Sequence, residues 1–158
     1  GCIGDDFNEA LLTSMIAVGY PIPQKSVMVS SGSAKSKVDL LEACRTLSSK
    51  GYEIYATAGT QKFLAENNID NIKVVSWPDE SGKENVMDMI ANHRFDLVIN
   101  IPKNHTKREL TNGYKIRRAS IDHNIPLITN ARLASAFIEA FCNLRMENIQ
   151  IKSWQEYK

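Results

Sequence analysis

The residues with the clearest chemical potential lie at positions 53–60, where the extended apolar run EIYA breaks into the small, polar turn TAGT. Gly59 gives the freedom that a tight turn needs, and Thr60 is placed to cap the helix that follows. A strand that enters a helix through such a turn brings backbone N–H groups and the hydroxyls of Thr57 and Thr60 near one point, where the helix dipole favours negative charge. These residues predict an anion site, and the alternative is a β–α turn whose threonines only cap the helix.

Lys37 is the cation best placed to join that site. It follows the first predicted strand, which ends at Ser31, and lies in the loop or the first helical turn, where a cation is unfavourable to the helix dipole unless an anion is near. A bound phosphate would supply that anion. An ordinary solvated lysine is the alternative, and Lys35 competes for the same role. The chain has neither the P-loop pattern nor the dinucleotide glycine pattern, so neither of those phosphate sites is predicted.

Polar and aromatic residues follow other predicted strands. Asn100 ends the fourth strand, where its amide either contacts a ligand or caps its own turn. Trp77 follows the third strand, where it either stacks on a ligand ring or covers a helix end. The histidines at 93, 105 and 123 are not at metal-ligand spacing, and no serine nucleophile motif is present. The sequence therefore predicts neither a catalytic set nor a metal site.

The elements that must position these residues alternate regularly along the chain. Strands are predicted at 26–31, 72–76, 95–101 and 125–129, with another in the stretch that begins at 53, and helices at 38–49, 61–67, 84–92, 114–123 and 131–144. A further helix is predicted at 5–18. Short apolar strands between helices predict an α/β fold, a three-layer α/β/α doubly wound sheet of about five parallel strands. Ligands of such sheets bind beyond the carboxyl ends of the strands, where Ser31, Thr57, Ser76 and Asn100 fall.

Composition limits the classes of function. The 158 residues fit one domain, and 19 basic against 18 acidic residues give a net charge of +1, so no nucleic-acid partner is predicted. No apolar run approaches the ~20 residues of a membrane span. Three widely spaced cysteines, Cys2, Cys44 and Cys142, are typical of reduced thiols, which predicts a soluble, cytoplasmic protein. Because the chain begins without Met, we expect it to be a piece of a longer polypeptide.

Several motifs together resemble the methylglyoxal synthase-like fold. They are the Ser–Lys loop after the first strand, YATAGT at 55–60, VIN at 98–100, and YKIRRAS at 114–120 running into IPLITN at 125–130. Within that fold the chain looks most like the carboxy-terminal allosteric domain of the carbamoyl phosphate synthetase large chain, over nearly its whole length. The resemblance implies that residues 1–23 form a helix and linker from an upstream synthetase domain, and that residues 24–158 form the regulatory domain.

The resemblance also implies a function. The domain would bind a phosphorylated nucleotide effector of the UMP or IMP type and modulate carbamoyl phosphate synthesis for the pyrimidine and arginine pathways, without catalysing a reaction itself. It would need no cofactor, whereas the parent ligase uses ATP with Mg or Mn. Its partners would be the upstream synthetase domains of the same chain and a glutaminase subunit. The implied effector-binding residues are Ser31, Lys37, Thr57, Gly59, Thr60 and Asn100, with further contacts from Ser76, Trp77, Lys103 and Asn112.

Two related functions are alternatives. Urea-cycle members are ammonia-dependent synthetases that bind N-acetylglutamate, in a pocket that resembles this one at Thr57, Thr60, Trp77, Pro78, Asn100 and Asn112. Lys103 stands where that pocket has an asparagine. Methylglyoxal synthase, a lyase that acts on dihydroxyacetone phosphate, needs a carboxylate as base. At the positions where that family has aspartates, this chain has Lys83, Lys103 or Asn104, and Asn112. Asp79 and Glu80 lie close by in the sequence, so a lyase remains an alternative. A docking module with an empty pocket is a further class.

Overall fold

Five strands alternate with five helices in the computed structural model, which describes residues 10–11, 14–17, 23–79, 85–102 and 106–143. The strands are β1 (Ser26–Ser31), β2 (Glu53–Ala56), β3 (Ile72–Val74), β4 (Leu97–Ile101) and β5 (Leu127–Ile128). The helices are α1 (Ala34–Ser49), α2 (Ala58–Glu66), α3 (Val86–Ala91), α4 (Lys107–Asp122) and α5 (Ala131–Asn143). Residues 10–11 and 14–17 are also helical, within the helix predicted at 5–18.

All the strand pairs are parallel, and the strand order is β3-β2-β1-β4-β5. β1 lies at the centre of the sheet, and each of its six residues is buried. The chain runs outward from β1 through β2 to β3 and then returns to the other side of β1 with β4. Such a change of direction opens a crevice at the carboxyl ends of the strands.

Alternate residues of each strand face opposite sides of the sheet, where two apolar cores form. On one side Val27 and Val29 of β1 pack with α1, α2 and α5, in a core that includes Leu40, Leu64 and Phe137. On the other side Met28 packs with α3 and α4. The three-layer α/β/α sheet predicted from the sequence is therefore confirmed.

Some helix boundaries differ from the predictions because side-chain caps start the helices earlier. Ser33 accepts a hydrogen bond from the Ser36 amide, so α1 begins at Ala34 rather than at 38. Thr106 accepts from the Glu109 amide, so α4 begins at Lys107 rather than at 114. The four-residue sequence TKRE at 106–109 is a capping pattern that the apolar periodicity did not reveal.

The two described cysteines match their predicted structural role. Cys44 and Cys142 are reduced and buried on helices of the first core, and burial raises the pKa of the Cys44 thiol to about 12. Cys2 lies outside the described residues. In the part of the chain that the structure describes, no helix is both long and apolar enough to cross a membrane.

Candidate functional site

A cleft of about 230 Å³ lies at the carboxyl ends of β1 and β2. It brings together five of the six residues predicted to bind an effector, and it also includes Trp77. Its lining residues are Ser30, Ser31, Gly32, Lys37, Thr57, Gly59, Thr60, Trp77 and Glu109.

Hydroxyl groups join β1 to the start of α2 at the floor of this cleft. The Thr60 hydroxyl accepts a hydrogen bond from the Ser31 amide at 3.0 Å and donates one to the Ser31 carbonyl at 3.2 Å. The hydroxyls of Ser30 and Thr57 lie 3.1 Å apart. The Ser31 hydroxyl is buried without a hydrogen-bond partner among the described residues. Because buried polar atoms are normally paired, this hydroxyl has unused hydrogen-bonding capacity at the floor of the cleft.

The first turn of α2 lacks a side-chain cap, and the prediction that Thr60 provides one is wrong. Thr57 occupies the N-cap position, but its side chain makes no capping hydrogen bond. Side chains do cap the other four described helices, since Ser33, Asn85, Thr106 and Asn130 each accept from a first-turn amide. The first amides of a helix have no partner within it. The first turn of α2 therefore keeps the donors and the dipole that suit an anion.

Lys37 brings a positive charge to the same turn. It lies in the first turn of α1 and is half-buried. A Cβ atom added to Gly59 would lie 3.9 Å from the Lys37 Nζ, so the ammonium sits beside the α2 backbone. No hydrogen bond or ion pair holds this ammonium among the residues described. The site thus combines an unpaired cation with uncapped amides.

Glu109 lines the cleft from the side of α4 and was not predicted from the sequence. It is half-buried in the first turn of α4, the helix that follows β4 in the chain. The capping pattern at 106–109 is the signal that places it there, because it starts α4 close to the strand. The structure describes no hydrogen bond or ion pair of the Glu109 carboxylate, so the cleft also holds an unpaired anion.

Asp79, two residues after Trp77, forms an ion pair with α4. Asp79 accepts hydrogen bonds from the Arg108 guanidinium at 2.7 and 3.2 Å, and Asn112 also contacts the Asp79 carboxylate. The Arg108 hydrogen bond is the largest cause that lowers the pKa of Asp79. Asp79 is therefore an ionised partner of Arg108 and not a free base. Trp77 is half-buried, packs against the core that contains Met28 and lines the cleft. Its stacking on a ligand ring stays a prediction.

Three of the predicted contacts, Asn100, Asn112 and Ser76, are described by the structure but are not among the residues that line the cleft. Asn100 is buried in β4 with its Oδ1 unpartnered among the described residues, and its Nδ2 lies 3.8 Å from where a Cβ on Gly113 would be. Asn112 is buried and faces Asp79, and Ser76 forms an isolated β-bridge with Asn85. Lys103 lies outside the described residues, as do the other residues considered at 80, 83, 104 and 105.

A metal site finds no support in the described ranges, which contain no cluster of three histidine, cysteine or acidic residues. His93 and His123 lie at the ends of α3 and α4, with ring centroids 5.8 Å apart. A further depression, of about 440 Å³, lies on the outer face of α4 along Lys107, Leu110, Thr111 and Tyr114. Among the described residues one face of α4 forms this depression, and Lys107 is the one charged residue, so it offers fewer groups to an anion than the cleft does.

Comparison with known proteins identifies the family. Residues 39–129 match the family described as "MGS-like domain". The chain belongs to the MGS-like domain family. The resemblance inferred from the sequence motifs is thereby confirmed.

Relatives of this MGS-like domain are much longer proteins. "Multifunctional protein CAD" of Squalus acanthias is 38% identical over 88% of this chain and 7% of its own length. "Carbamoyl phosphate synthase large chain, C-terminal section" of Aquifex aeolicus is 35% identical over 90% of this chain and 26% of its own length. Human "Carbamoyl-phosphate synthase [ammonia], mitochondrial" is 34% identical over 88% of this chain and 9% of its own length. The chain thus spans a minor part of each relative.

A solved methylglyoxal synthase from Elizabethkingia anophelis has a similar fold. The TM-score is 0.50 at 17% sequence identity, over 73% of this MGS-like domain and 77% of that protein. At this identity the likeness supports the shared α/β architecture alone.

Proposed function

We propose that this MGS-like domain is the allosteric regulatory domain of a carbamoyl phosphate synthetase large chain, and that its cleft binds a phosphorylated nucleotide of the UMP or IMP type. The observation that carries the proposal is the convergence of Lys37, the uncapped first turn of α2 and the free Ser31 hydroxyl in one cleft. These groups supply donors and positive charge, and a phosphate supplies the matching acceptors.

Relatives support the synthetase part of the proposal, since two of them are named as carbamoyl phosphate synthases. In this account the domain is not an enzyme and needs no cofactor. The parent chain is an ATP-dependent ligase that uses Mg or Mn in its synthetase domains, receives ammonia through a glutaminase subunit and works in the cytoplasm. Residues 1–23 connect the regulatory domain to the upstream synthetase domains.

Regulation requires that the effector bind one arrangement of the domain and its neighbour more tightly than another. The contact between Asp79, two residues after Trp77, and Arg108, the residue before Glu109, is well suited to carry this difference, because Trp77 and Glu109 both line the cleft. This ion pair is formed by exposed side chains, so it can be exchanged for a contact with a ligand or a neighbouring domain.

A lyase reaction is the second candidate, because Glu109 supplies the carboxylate that the sequence analysis did not find. A phosphate ester held at Lys37 would place its carbon atoms in the same cleft as this carboxylate. A positioned carboxylate is what proton abstraction next to a carbonyl requires. This candidate predicts methylglyoxal formation from dihydroxyacetone phosphate.

One set of ligand-binding measurements distinguishes a nucleotide-binding domain from a lyase. The unfolding temperature of this chain is measured with UMP, IMP, N-acetylglutamate and dihydroxyacetone phosphate, and methylglyoxal is assayed in the last sample. A ligand at ~100 times its dissociation constant stabilises the fold by roughly 2.7 kcal/mol. We expect a nucleotide to raise the unfolding temperature and no methylglyoxal to form. Methylglyoxal formation would establish the lyase instead, and no shift with any nucleotide would overturn the nucleotide proposal.

A further inference from the structure

The cleft holds two opposite charges that do not neutralise each other. The Lys37 ammonium and the Glu109 carboxylate both line it, both residues are half-buried, and the structure describes no ion pair for either. Charges away from bulk water are normally paired. Each of these charges is therefore available to a group on a bound ligand.

The two charges lie on different sides of the cleft floor. Lys37 lies beside Gly59, at the uncapped start of α2. Glu109 comes from the first turn of α4, whose own cap is already filled because Thr106 accepts from the Glu109 amide. The anionic part of a ligand thus belongs at the α2 side, and the α4 side presents a carboxylate to the rest of the ligand.

An ionised carboxylate accepts hydrogen bonds and donates none. It attracts a ligand whose second part carries O–H or N–H donors, and it repels one whose second part is another anion. From this geometry we infer that Glu109 determines the specificity of the cleft: it selects a phosphate monoester that carries hydroxyl donors, such as a nucleoside monophosphate, and rejects a dicarboxylate. This inference rests on the proposed anion-binding function of the cleft.

The test compares Glu109→Gln with Glu66→Gln. Glutamine at 109 keeps the size of the side chain but removes its charge. Glu66 is an exposed acid at the far end of α2, so its substitution changes the net charge equally without touching the cleft. Dissociation constants for UMP and for N-acetylglutamate are measured by calorimetry in all three proteins, and unfolding temperatures without ligand confirm that each is folded.

We expect Glu109→Gln to lower the ratio of UMP affinity to N-acetylglutamate affinity at least about tenfold, because hydrogen bonds to a charged group and repulsion of a second anion are both lost. Glu66→Gln should leave the ratio unchanged. A wild-type protein that binds UMP, with the same ratio in Glu109→Gln, would overturn the role of Glu109 and leave the proposed function standing. A wild-type protein that binds neither ligand would overturn both. If Glu109→Gln does not fold, Glu109→Ala provides the second variant: it also removes the carboxylate and should lower the ratio in the same way, and an unchanged ratio would overturn the role of Glu109.

Discussion

Two cavities of about 230 Å³ lie at opposite ends of the same sheet. The cleft described above lies at the carboxyl ends of the strands. The second, which we call the amino-end cavity, is lined by Lys25, Ser26, Glu53, Tyr55, Lys73, His93, Arg94 and Asp96. Both contain several polar and charged groups, so neither size nor polarity distinguishes a binding site from a structural one.

In the amino-end cavity most of the polar groups are partnered within the protein. One carboxylate oxygen of Asp96 accepts from the amides of Lys25 at 2.7 Å and Ser26 at 3.0 Å, which ties the start of β1 to the start of β4. The Lys73 ammonium lies 3.5 Å from the Glu53 carboxylate. The Arg94 guanidinium donates to the Tyr55 hydroxyl. These groups stabilise the ends of strands.

In the cleft at the carboxyl end of the sheet, by contrast, several polar and charged groups are not paired with other groups of the described residues. Among the residues described there, the Ser31 hydroxyl, the Lys37 ammonium and the Glu109 carboxylate have no partner, and α2 has no side-chain cap. Because unpaired polar groups in a partly buried cavity lower stability, a fold retains them where a ligand completes them. The two ends of the sheet therefore differ in whether their polar groups are paired within the protein, and not in how polar they are.

The largest expected effect of a substitution in the cleft is on ligand affinity. Lys37→Ala should weaken UMP binding about 10- to 100-fold, since it removes a charged donor to the phosphate. The stability of the ligand-free protein should change by less than about 0.5 kcal/mol, because Lys37 has no described partner to lose. Calorimetry and thermal unfolding measure the two quantities. Lys35→Ala, two residues earlier on the exposed side of the same turn, is the matched control and should change neither.

At the amino end the effect should fall on stability. Asp96→Ala removes the acceptor of two backbone amides, and we expect the free energy of unfolding to decrease by about 1–3 kcal/mol. For a domain of this size each kcal/mol lowers the unfolding temperature by roughly 2–4 °C. UMP affinity should stay the same. Asp70→Ala, an exposed acid on a loop, controls for the loss of charge. Weaker UMP binding in Asp96→Ala would show that the two ends are not separate in function.

A smaller effect is expected where the cleft contains a paired hydroxyl. Thr57→Val removes the contact with the Ser30 hydroxyl and one donor to the ligand, so both stability and UMP affinity should fall, each by roughly 1 kcal/mol. Thr57→Ser retains the hydroxyl and should restore most of both. If Thr57→Val changes stability alone, Thr57 is a structural residue of the β1–β2 contact.

The smallest effect concerns the one ion pair described at the carboxyl end. The pKa of Asp79 is lowered in the folded protein, chiefly by the Arg108 hydrogen bond. Its contribution to stability is therefore present above the ordinary carboxylate pKa of about 3.9 and is lost as the pH falls through the lowered value. Arg108→Gln should lower the unfolding temperature slightly at pH 7 and low salt, less at high salt, and progressively less as the pH falls through the lowered pKa of Asp79. An equal difference at every pH would contradict the role of this pair.

Local patterns in the sequence were sufficient to predict the sheet and much of the cleft. The apolar runs of β1 and β4 are buried on both faces, which is why they read as continuous apolar strands. Parallel strands end at one edge, so polar residues at their ends, such as Ser31 and Thr57, were expected to meet, and the structure places them in one cleft.

The features of the fold and the cleft that could not be predicted from the sequence depend on side-chain contacts between distant residues or on helix N-caps. The Thr60 hydroxyl bonds to the backbone of Ser31, 29 residues away, so its position in the helix could not be read from its own segment. Arg108 meets Asp79 across a similar separation. The cap at Thr106 starts α4 early, which buries Asn112 and brings Glu109 into the cleft.

The most direct test of the central claim is a nuclear magnetic resonance titration of the ¹⁵N-labelled chain with UMP, because backbone amides report on both ends of the sheet at once. We predict that the amide signals of Gly32 and of residues 58–60 at the first turn of α2 move in a saturable way. The signals of residues 25, 26 and 94–96 at the amino-end cavity should stay in place. Saturable changes confined to the amino-end signals, or no change at either end, would contradict the account.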